Sequence, residues 1–188
     1  MSVQIGRRLF TVEDYHRMAE AGVFGPDERV ELIEGEIVEM SPIGRQHAAC
    51  VTWLDRRFQR VLGDLAVIIV QNPLELRPRS EPQPDVALLK AREDLYRGAL
   101  PTAQDTLLAI EVSDTTYERD RNVKMPLYAR QGIAEFWIVN IPDEAIEVFL
   151  KPGPRGYRKV ARFGRGKVVR PSAFPDATVA VSEVLGLG

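Results

Sequence analysis

Residues 106–140 read TLLAIEVSDTTYERDRNVKMPLYARQGIAEFWIVN, and their pattern is the clearest indication of the fold class of the chain. Two runs of strand-forming residues, 106–113 and 134–140, flank a segment of helical character at 117–132. Strands this apolar are usually buried on both faces of a sheet. Pro126 lies inside the helical segment, so we expect a kink or a disturbed helix there. The stretch therefore predicts part of a sheet with a helix on its face.

Glu111 stands out because it places a carboxylate inside the first of these apolar strands. A buried carboxylate costs roughly several kcal/mol unless it is paired, protonated or bound to a metal. A second acid, Asp85, opens another short apolar strand, DVALL. Because side chains alternate along a strand, Glu111 shares a face with Ala109, and Asp85 shares one with Ala87. The small neighbours leave room for a ligand to approach both acids.

The two carboxylates converge if their strands are neighbours and these faces align. Converging oxygen ligands with few other donors favour a hard divalent cation, Mg²⁺ or Mn²⁺. The alternative is structural, because each acid could instead cap a strand end or pair with an arginine. The spacing by itself leaves both interpretations open.

Composition limits the class of protein. The chain has 188 residues, 45% of them hydrophobic and 28% charged, which suits one compact domain with a sizeable core. Its net charge of −2 excludes the strongly basic class of dedicated nucleic-acid binders, although one basic face is still compatible with it. No apolar run approaches the roughly 20 residues of a membrane span, and no signal peptide is visible. We therefore predict a cytoplasmic protein with no membrane partner, in which the single Cys50 is a buried structural thiol.

Further elements surround the central stretch. The segments before it predict a helix at 10–22, a hairpin with its turn at Glu34-Gly35, a helix at 45–63 and a strand at 65–71. The segments after residue 140 predict a meander of short strands with Gly and Pro turns. This order indicates a mixed sheet with helices on its faces, of the α/β or α+β class. Neither a GxGxxG fingerprint nor a P-loop is present, which makes those nucleotide-binding folds poor candidates.

Four segments carry a resemblance to a known family. They are RVELIEGEIVEMSPIGRQH (29–47), QPDVALL (83–89), the stretch at 107–140, and RPSAFPDATVAVSEVLG (170–186). From about residue 10 to its end, the chain resembles the Uma-two family of restriction endonucleases, a branch of the PD-(D/E)XK nuclease superfamily. The Pro-Asp and Glu motifs are short and weak alone, whereas the string from Glu111 to Trp137 is specific.

The resemblance implies a fold and an activity. It implies a single domain over 1–188, with a restriction-endonuclease-like core at 43–150. A helix and hairpin extension at 1–42 precedes this core, and a C-terminal strand meander at 151–188 follows it. The implied activity is metal-dependent hydrolysis of DNA phosphodiester bonds, in which Asp85 and Glu111 bind Mg²⁺ or Mn²⁺.

The chain departs from the superfamily pattern at Ser113, where Glu-x-Lys requires a lysine. The resemblance implies that Lys124, in the DRNVK segment of the following helix, supplies the missing cation to the same point. Such a cation would stabilise the attacking water or the charge of the transition state. The alternative for Lys124 is a helical ion pair with Asp120, worth about 0.3–0.5 kcal/mol. Ser113 is retained as a supporting residue.

Other polar residues are candidates for the same site. A third acid is expected from the hairpin, where Glu31, Glu34 and Glu36 are available and Glu34 is preferred; each could equally be a solvated residue. Glu36 is kept as a supporting residue. His47 opens a helix and could contact a phosphate, although capping or packing explains it equally well. Gln71 ends a strand beside the predicted site and could orient water.

A basic segment at 155–170 is the candidate surface for nucleic acid, with a solvated meander as its alternative. Its basic residues are Arg155, Arg158, Lys159, Arg162, Arg165, Lys167 and Arg170. DNA is the predicted partner, and a homodimer is expected because restriction-type nucleases often cut two strands with two subunits. Two other functions compete with the endonuclease. One is a non-catalytic nucleic-acid- or protein-binding module on the same fold, and the other is a phosphodiesterase acting on a substrate other than DNA.

Overall fold

The computed structural model describes residues 6–187. The helices are α1 (Val12–Glu20), α2 (Arg45–Leu62), α3 (Tyr117–Arg119), α4 (Met125–Arg130) and α5 (Val181–Val184). The strands are β1 (Val30–Ile33), β2 (Glu36–Glu39), β3 (Ala66–Val70), β4 (Val86–Lys90), β5 (Thr106–Ser113), β6 (Glu135–Asn140), β7 (Ala145–Leu150), β8 (Lys159–Phe163), β9 (Val168–Val169) and β10 (Val179–Ala180). No helix among these is both long and apolar enough to cross a membrane.

A six-stranded mixed sheet forms the centre of the molecule, with the strand order β3-β4-β5-β6-β7-β8. The pair β5 and β6 is parallel, and every other neighbouring pair in this sheet is antiparallel. Parallel neighbours need a crossover connection, which α3 and α4 provide between β5 and β6. The stretch at 106–140 therefore forms the strand, helix and strand predicted from its sequence.

Alternation along β5 divides the hydrophobic core into two clusters. Leu108 and Ile110 pack on the face covered by α2. Ala109 belongs to the opposite cluster, together with Leu127 and Tyr128 of α4. Each face of the sheet thus carries a helix, and the predicted mixed α/β sheet with helices on both faces is confirmed.

The register of β4 and β5 aligns the two acidic positions. Ala87 pairs with Ala109, and both lie in the cluster on the α4 side. Val86 pairs with Ile110 in the same register, and one further step sets Asp85 opposite Glu111. The condition for convergence of the two carboxylates is therefore met by the topology.

The N-terminal hairpin docks onto the loop that precedes β4. Its turn uses Glu34 and Gly35, both at positive φ (50° and 87°), as a two-residue hairpin turn requires. A Cβ on Gly35 would lie 2.7 Å from the Cβ of Leu9, so no larger residue fits without a shift. Backbone hydrogen bonds from Gly35 N to Arg79 O and from Glu81 N to Leu32 O, each 2.7 Å, fix the hairpin in place.

The predicted disturbance near Pro126 takes the form of a π-helical turn at Asp120–Lys124, between α3 and α4. The N–H of Met125 bonds to the carbonyl of Asp120, five residues back. Proline has no N–H for the normal ladder, which accounts for the irregularity beside it. Single π turns of this kind occur frequently at functional sites.

The C-terminal part divides between two sheets. β8 pairs antiparallel with β7 and forms one edge of the central sheet, so part of the expected meander belongs to that sheet. β9 and β10 form a separate two-stranded sheet beside α5. Val169 and Val179 from these two strands extend the core on the α2 side.

Candidate active site

Asp85 lies just before β4 and is almost fully buried. Its Oδ2 accepts hydrogen bonds from Val112 N at 2.8 Å and from His47 Nε2 at 3.0 Å, and its Oδ1 accepts one from Gln71 Nε2 at 3.1 Å. Burial acts to raise the pKa of Asp85, but the hydrogen bond and charge of His47, with the other two donors, lower it overall. Asp85 is therefore held as a carboxylate.

His47 and Gln71 reach Asp85 from two different elements. His47 lies in the first turn of α2, and its Nδ1 is buried without a hydrogen-bond partner within residues 6–187. Burial acts to lower the pKa of His47, but its contact with Asp85 raises it overall. Gln71 follows β3 at a positive φ of 51°, and its N–H bonds to the carbonyls of Pro84 and Asp85. Both predicted supporting residues thus lie against Asp85.

Glu111 is 3% exposed, and hydrogen bonds reach its Oε1 from Lys124 Nζ at 3.1 Å and from Tyr128 OH at 2.8 Å. Burial raises the pKa of Glu111 well above its ordinary value; Lys124 opposes the rise, and the nearby carboxylates of Asp120 and Asp85 add to it. The apolar strand therefore contains a carboxyl group whose charge is only partly compensated by its protein neighbours.

Lys124 is 2% exposed and lies between two carboxylates. Its Nζ is 3.1 Å from Glu111 Oε1 and 3.0 Å from Glu31 Oε2. Burial acts to lower the pKa of Lys124, but the charges of Glu111 and Glu31 raise it above its ordinary value. Lys124 is therefore held as an ammonium between Glu111 and Glu31.

Asp120 does not form the helical ion pair considered for Lys124. Its Oδ2 instead accepts hydrogen bonds from Ser113 Oγ at 2.7 Å and from Thr116 Oγ1 at 2.6 Å. Burial raises the pKa of Asp120, and Lys124 opposes this through its charge. Ser113 therefore fixes a further acid of the site, which the sequence analysis did not single out as a site residue.

The hairpin contributes Glu31 to the buried charged groups around Lys124, whereas Glu34 and Glu36 lie at the surface. Glu31 is fully buried; its Oε2 accepts from Gln83 N at 3.2 Å and pairs with Lys124, while its Oε1 has no hydrogen-bond partner among the described residues. Glu34 is in the exposed turn and pairs with Arg130. Glu36 pairs with Arg7 at 2.9 Å, also at the surface. The structure thus brings together a different hairpin acid from the preferred one.

Glutamine substitutions separate these two hairpin positions. For the hydrolytic activity that the family resemblance implies, we expect Glu31→Gln to lower the rate of phosphodiester cleavage by about 10- to 100-fold, because a group that orients a reactive side chain typically has an effect of that size. Glu34→Gln, which removes an exposed ion pair, is expected to leave the rate unchanged. The measurement is a nicking rate on supercoiled plasmid for both variants. Equal rates in both variants would show that Glu31 does not support the site.

Most of these site residues, though not Glu31, Ser113 or Tyr128, line one cavity of about 190 Å³. Its wall contains residues from the hairpin exit, α2, β5 and the π turn, among them Asp85, Glu111, Asp120, Lys124 and His47. No group of three or more His, Cys, Asp or Glu side chains within residues 6–187 forms a ready-made metal cluster. Mg²⁺ does not require one, because it usually binds through one or two carboxylates and keeps several waters.

The donor set fits such a cation. Asp85 and Glu111 offer hard oxygen ligands at the same cavity wall. Burial is the largest cause of the raised pKa of Glu111, and repulsion by the charges of Asp120 and Asp85 adds to it. A divalent cation would relieve this repulsion.

Comparison with known proteins supplies the family context. A family model described as "Putative restriction endonuclease", Uma2, matches residues 12–182. A crystal structure described as a "putative nuclease belonging to DUF820" from Anabaena variabilis is similar over 94% of this chain and 98% of its own, with 13% identity and a TM-score of 0.70. No curated protein matches the sequence. At the level of fold, these similarities confirm the predicted restriction-endonuclease-like core.

Proposed function

The chain belongs to the Uma2 family, and from this premise we propose that it is a Mg²⁺- or Mn²⁺-dependent endonuclease that hydrolyses phosphodiester bonds in DNA. One observation carries the proposal: Lys124 Nζ lies 3.1 Å from Glu111 Oε1 in the cavity that Asp85 also lines. Two carboxylates and one ammonium at one cavity wall are the groups that metal-assisted phosphodiester hydrolysis uses.

Each side chain of the site has a distinct task in this reaction. Asp85 and Glu111 would hold the cation, which supplies Lewis-acid activation of the phosphate and lowers the pKa of a bound water. Lys124 is positioned to stabilise negative charge on the attacking oxygen or on the phosphate as bonds to phosphorus change. Glu31 pairs with Lys124 at 3.0 Å and helps to keep it charged.

Supporting residues fix the orientation of the two carboxylates. His47 and Gln71 hold Asp85, each through one hydrogen bond to a different oxygen. The hydroxyl of Tyr128 holds Glu111 through Oε1, the oxygen that also contacts Lys124. Such second contacts reduce the reorganisation needed when substrate arrives.

The buried ammonium also favours catalysis over a non-catalytic module. Burying Lys124 between two acids requires desolvation of three charges, and excellent geometry is needed to offset that cost. A binding surface gains nothing from a charge buried this deeply.

The homodimer and the cytoplasmic location remain predictions beside this proposal.

Plasmid cleavage tests the proposed function. We expect the wild type to convert supercoiled plasmid to nicked or linear forms with Mg²⁺ or Mn²⁺, and EDTA to abolish the conversion. A parallel panel of RNA, single-stranded DNA and a small phosphodiester identifies the substrate class. Absence of cleavage of every substrate, by protein that is folded and supplied with either metal, would contradict the proposal and favour the binding module. Cleavage of the small diester alone would favour the phosphodiesterase.

A further inference from the structure

One helix face that leads away from the cavity is both basic and open. The exposed positions of α2 include Arg45, Ala49, Thr52, Arg56 and Arg60, spaced by three or four residues along one stripe. The opposite face of α2 enters the core through residues such as Leu54 and Phe58. The stripe begins at Arg45, two residues before His47, so the His47 ring that contacts Asp85 in the cavity projects from a different side of the helix.

A groove follows this stripe, and we name it the α2 groove. Its volume is about 670 Å³. It is lined by Ala48, Ala49, Thr52, Trp53, Arg56, Arg57, Arg60 and Glu183. Gly44 and His47 line the cavity and Ala48 lines the groove, so both concavities reach the N-terminal end of α2, on different sides of the helix.

Three arginines of the stripe have no acidic partner among the described residues. Within residues 6–187, Arg45, Arg56 and Arg60 form no ion pair with any carboxylate, although Glu183 stands in the groove wall. Arg57 is fixed by its hydrogen bond to Thr178 O at 2.9 Å. The groove therefore presents guanidinium groups that are available to an anionic ligand.

The groove dimensions suit a polyanionic strand. Each residue of a helix advances 1.5 Å, so Arg56 and Arg60 lie about 6 Å apart along the axis, and Arg60 lies about 20 Å from His47. One DNA strand advances about 3.4 Å per nucleotide, so this length accommodates about six nucleotides. The small side chains of Ala49 and Thr52 leave the middle of the stripe open to close approach.

We infer that the α2 groove binds the phosphodiester backbone of the nucleic acid on one side of the bond to be cleaved, with Arg56 and Arg60 contacting phosphates. The inference rests on the proposed function and adds the path of the substrate. Guanidinium groups recognise phosphate oxygens through paired hydrogen bonds, which suits this role. Contacts of this kind position the strand and carry no sequence information.

The basic segment at 155–170 is a weaker candidate for the same task. Arg162 and Arg165 are already paired with Asp143 and Glu144, each at 2.8 Å. β8, which this segment contains, is three strands away from β5 in the central sheet, or about 14 Å at the usual strand spacing. Arg155 and Arg158 are exposed there and provide a matched control for the loss of two positive charges.

Binding measurements with charge-matched variants test the inference. The probes are a labelled DNA duplex of about 20 base pairs and one of its strands alone. Both are titrated in EDTA, so that binding is separated from cleavage. We expect Arg56→Ala/Arg60→Ala to weaken duplex binding by about tenfold or more and to reduce the slope of log K against log salt by about 1.8, since each phosphate contact contributes about 0.9. Arg155→Ala/Arg158→Ala is expected to bind as the wild type does. Ala49→Glu places an acid in the groove and is expected to weaken binding as well. Glutamate favours helix, so this substitution should leave α2 intact.

The outcomes separate this inference from the proposed function. If the wild type binds and Arg56→Ala/Arg60→Ala retains both its affinity and its salt slope, the inference is wrong even though plasmid is cut. If the Arg155 and Arg158 variant loses affinity instead, the backbone follows the other surface and the inference is also wrong. If the wild type binds neither probe, the groove is not a nucleic-acid site. Binding through α2 without any cleavage would support the inference and contradict the proposed function. The two probes distinguish duplex from single-stranded substrate.

Discussion

Replacing Lys124 with methionine is expected to abolish phosphodiester cleavage and to lower the free energy of unfolding by about 3–5 kcal/mol. Lys124 is the cation shared by Glu31 and Glu111, and both acids are buried. Methionine fills a similar volume, so the loss would come from two buried carboxylates left without their counter-charge. We expect a loss in cleavage rate of at least about 100-fold, the usual effect of removing one group that stabilises transition-state charge. Denaturant unfolding and a nicking assay measure the two effects.

A double variant separates the two consequences of the Lys124 substitution. Glu31→Gln combined with Lys124→Met removes one of the stranded carboxylates, so it should recover part of the lost stability. It should recover none of the activity, because the ammonium is still missing. Restored cleavage in the double variant would show that Lys124 acts only on stability. An unaltered free energy of unfolding in the single variant would contradict the ion-pair arrangement itself.

Glu111→Gln is expected to remove activity and, in the absence of metal, to stabilise the protein. Glutamine keeps the shape of the side chain, and its Oε1 can still accept from Lys124 and Tyr128. The substitution removes one negative charge from a cluster in which Asp85, Asp120 and Glu31 repel it. We expect a gain in the free energy of unfolding of about 0.5–2 kcal/mol, the usual range for a stabilising substitution. Cleavage should fall by more than about 100-fold, because a metal ligand is lost.

The gain in stability should depend on pH in a defined direction. Burial raises the folded-state pKa of Glu111 above its unfolded value of 4.5. At pH values below this unfolded-state pKa, the wild type and the Glu111→Gln variant both carry a neutral side chain at position 111. Their free energies of unfolding should therefore agree. As the pH rises through the folded pKa, the wild type loses stability and the glutamine variant does not. Unfolding curves at pH 4 and pH 8 in EDTA measure this difference, and a larger gain at pH 4 would contradict the assignment.

The positions of two acids of the candidate site could be predicted from the sequence, because Glu111 interrupts an apolar strand and Asp85 immediately precedes another. The alternation of side chains placed Asp85 with Ala87 and Glu111 with Ala109, and the pairing of those two alanines confirms the alignment. The stretch at 106–140 also predicted its own strands and helix, since Pro126 marks the irregular turn. Local pattern was sufficient wherever the strands involved were neighbours.

Lys124 is the residue that we propose takes the place of the motif lysine missing at position 113. Position 113 carries a serine that holds Asp120, and its short side chain occupies little of the room beside Glu111. The crossover segment after β5 returns over the α4 side of the sheet, so a long side chain on it can reach Glu111 Oε1. The family resemblance, rather than the spacing, identified this lysine.

The hairpin acid could not be chosen from the turn alone. Glu34 and Gly35 form the turn itself, and turn residues face solvent. Glu31 lies inside β1, and an acid inside an apolar strand is the pattern that singled out Glu111. The burial of β1, however, depends on docking against the loop before β4. That contact joins residues about fifty positions apart, and no local pattern specifies it.

We propose that Asp85 and Glu111 bind a divalent metal, and a calorimetric titration of Mn²⁺ into the wild type and into Glu111→Gln tests this binding. We expect a saturable heat of binding for the wild type and none for the glutamine variant, with both proteins folded at the start of the titration. A wild type that takes up no metal, or a glutamine variant that binds Mn²⁺ as tightly as the wild type, would contradict it.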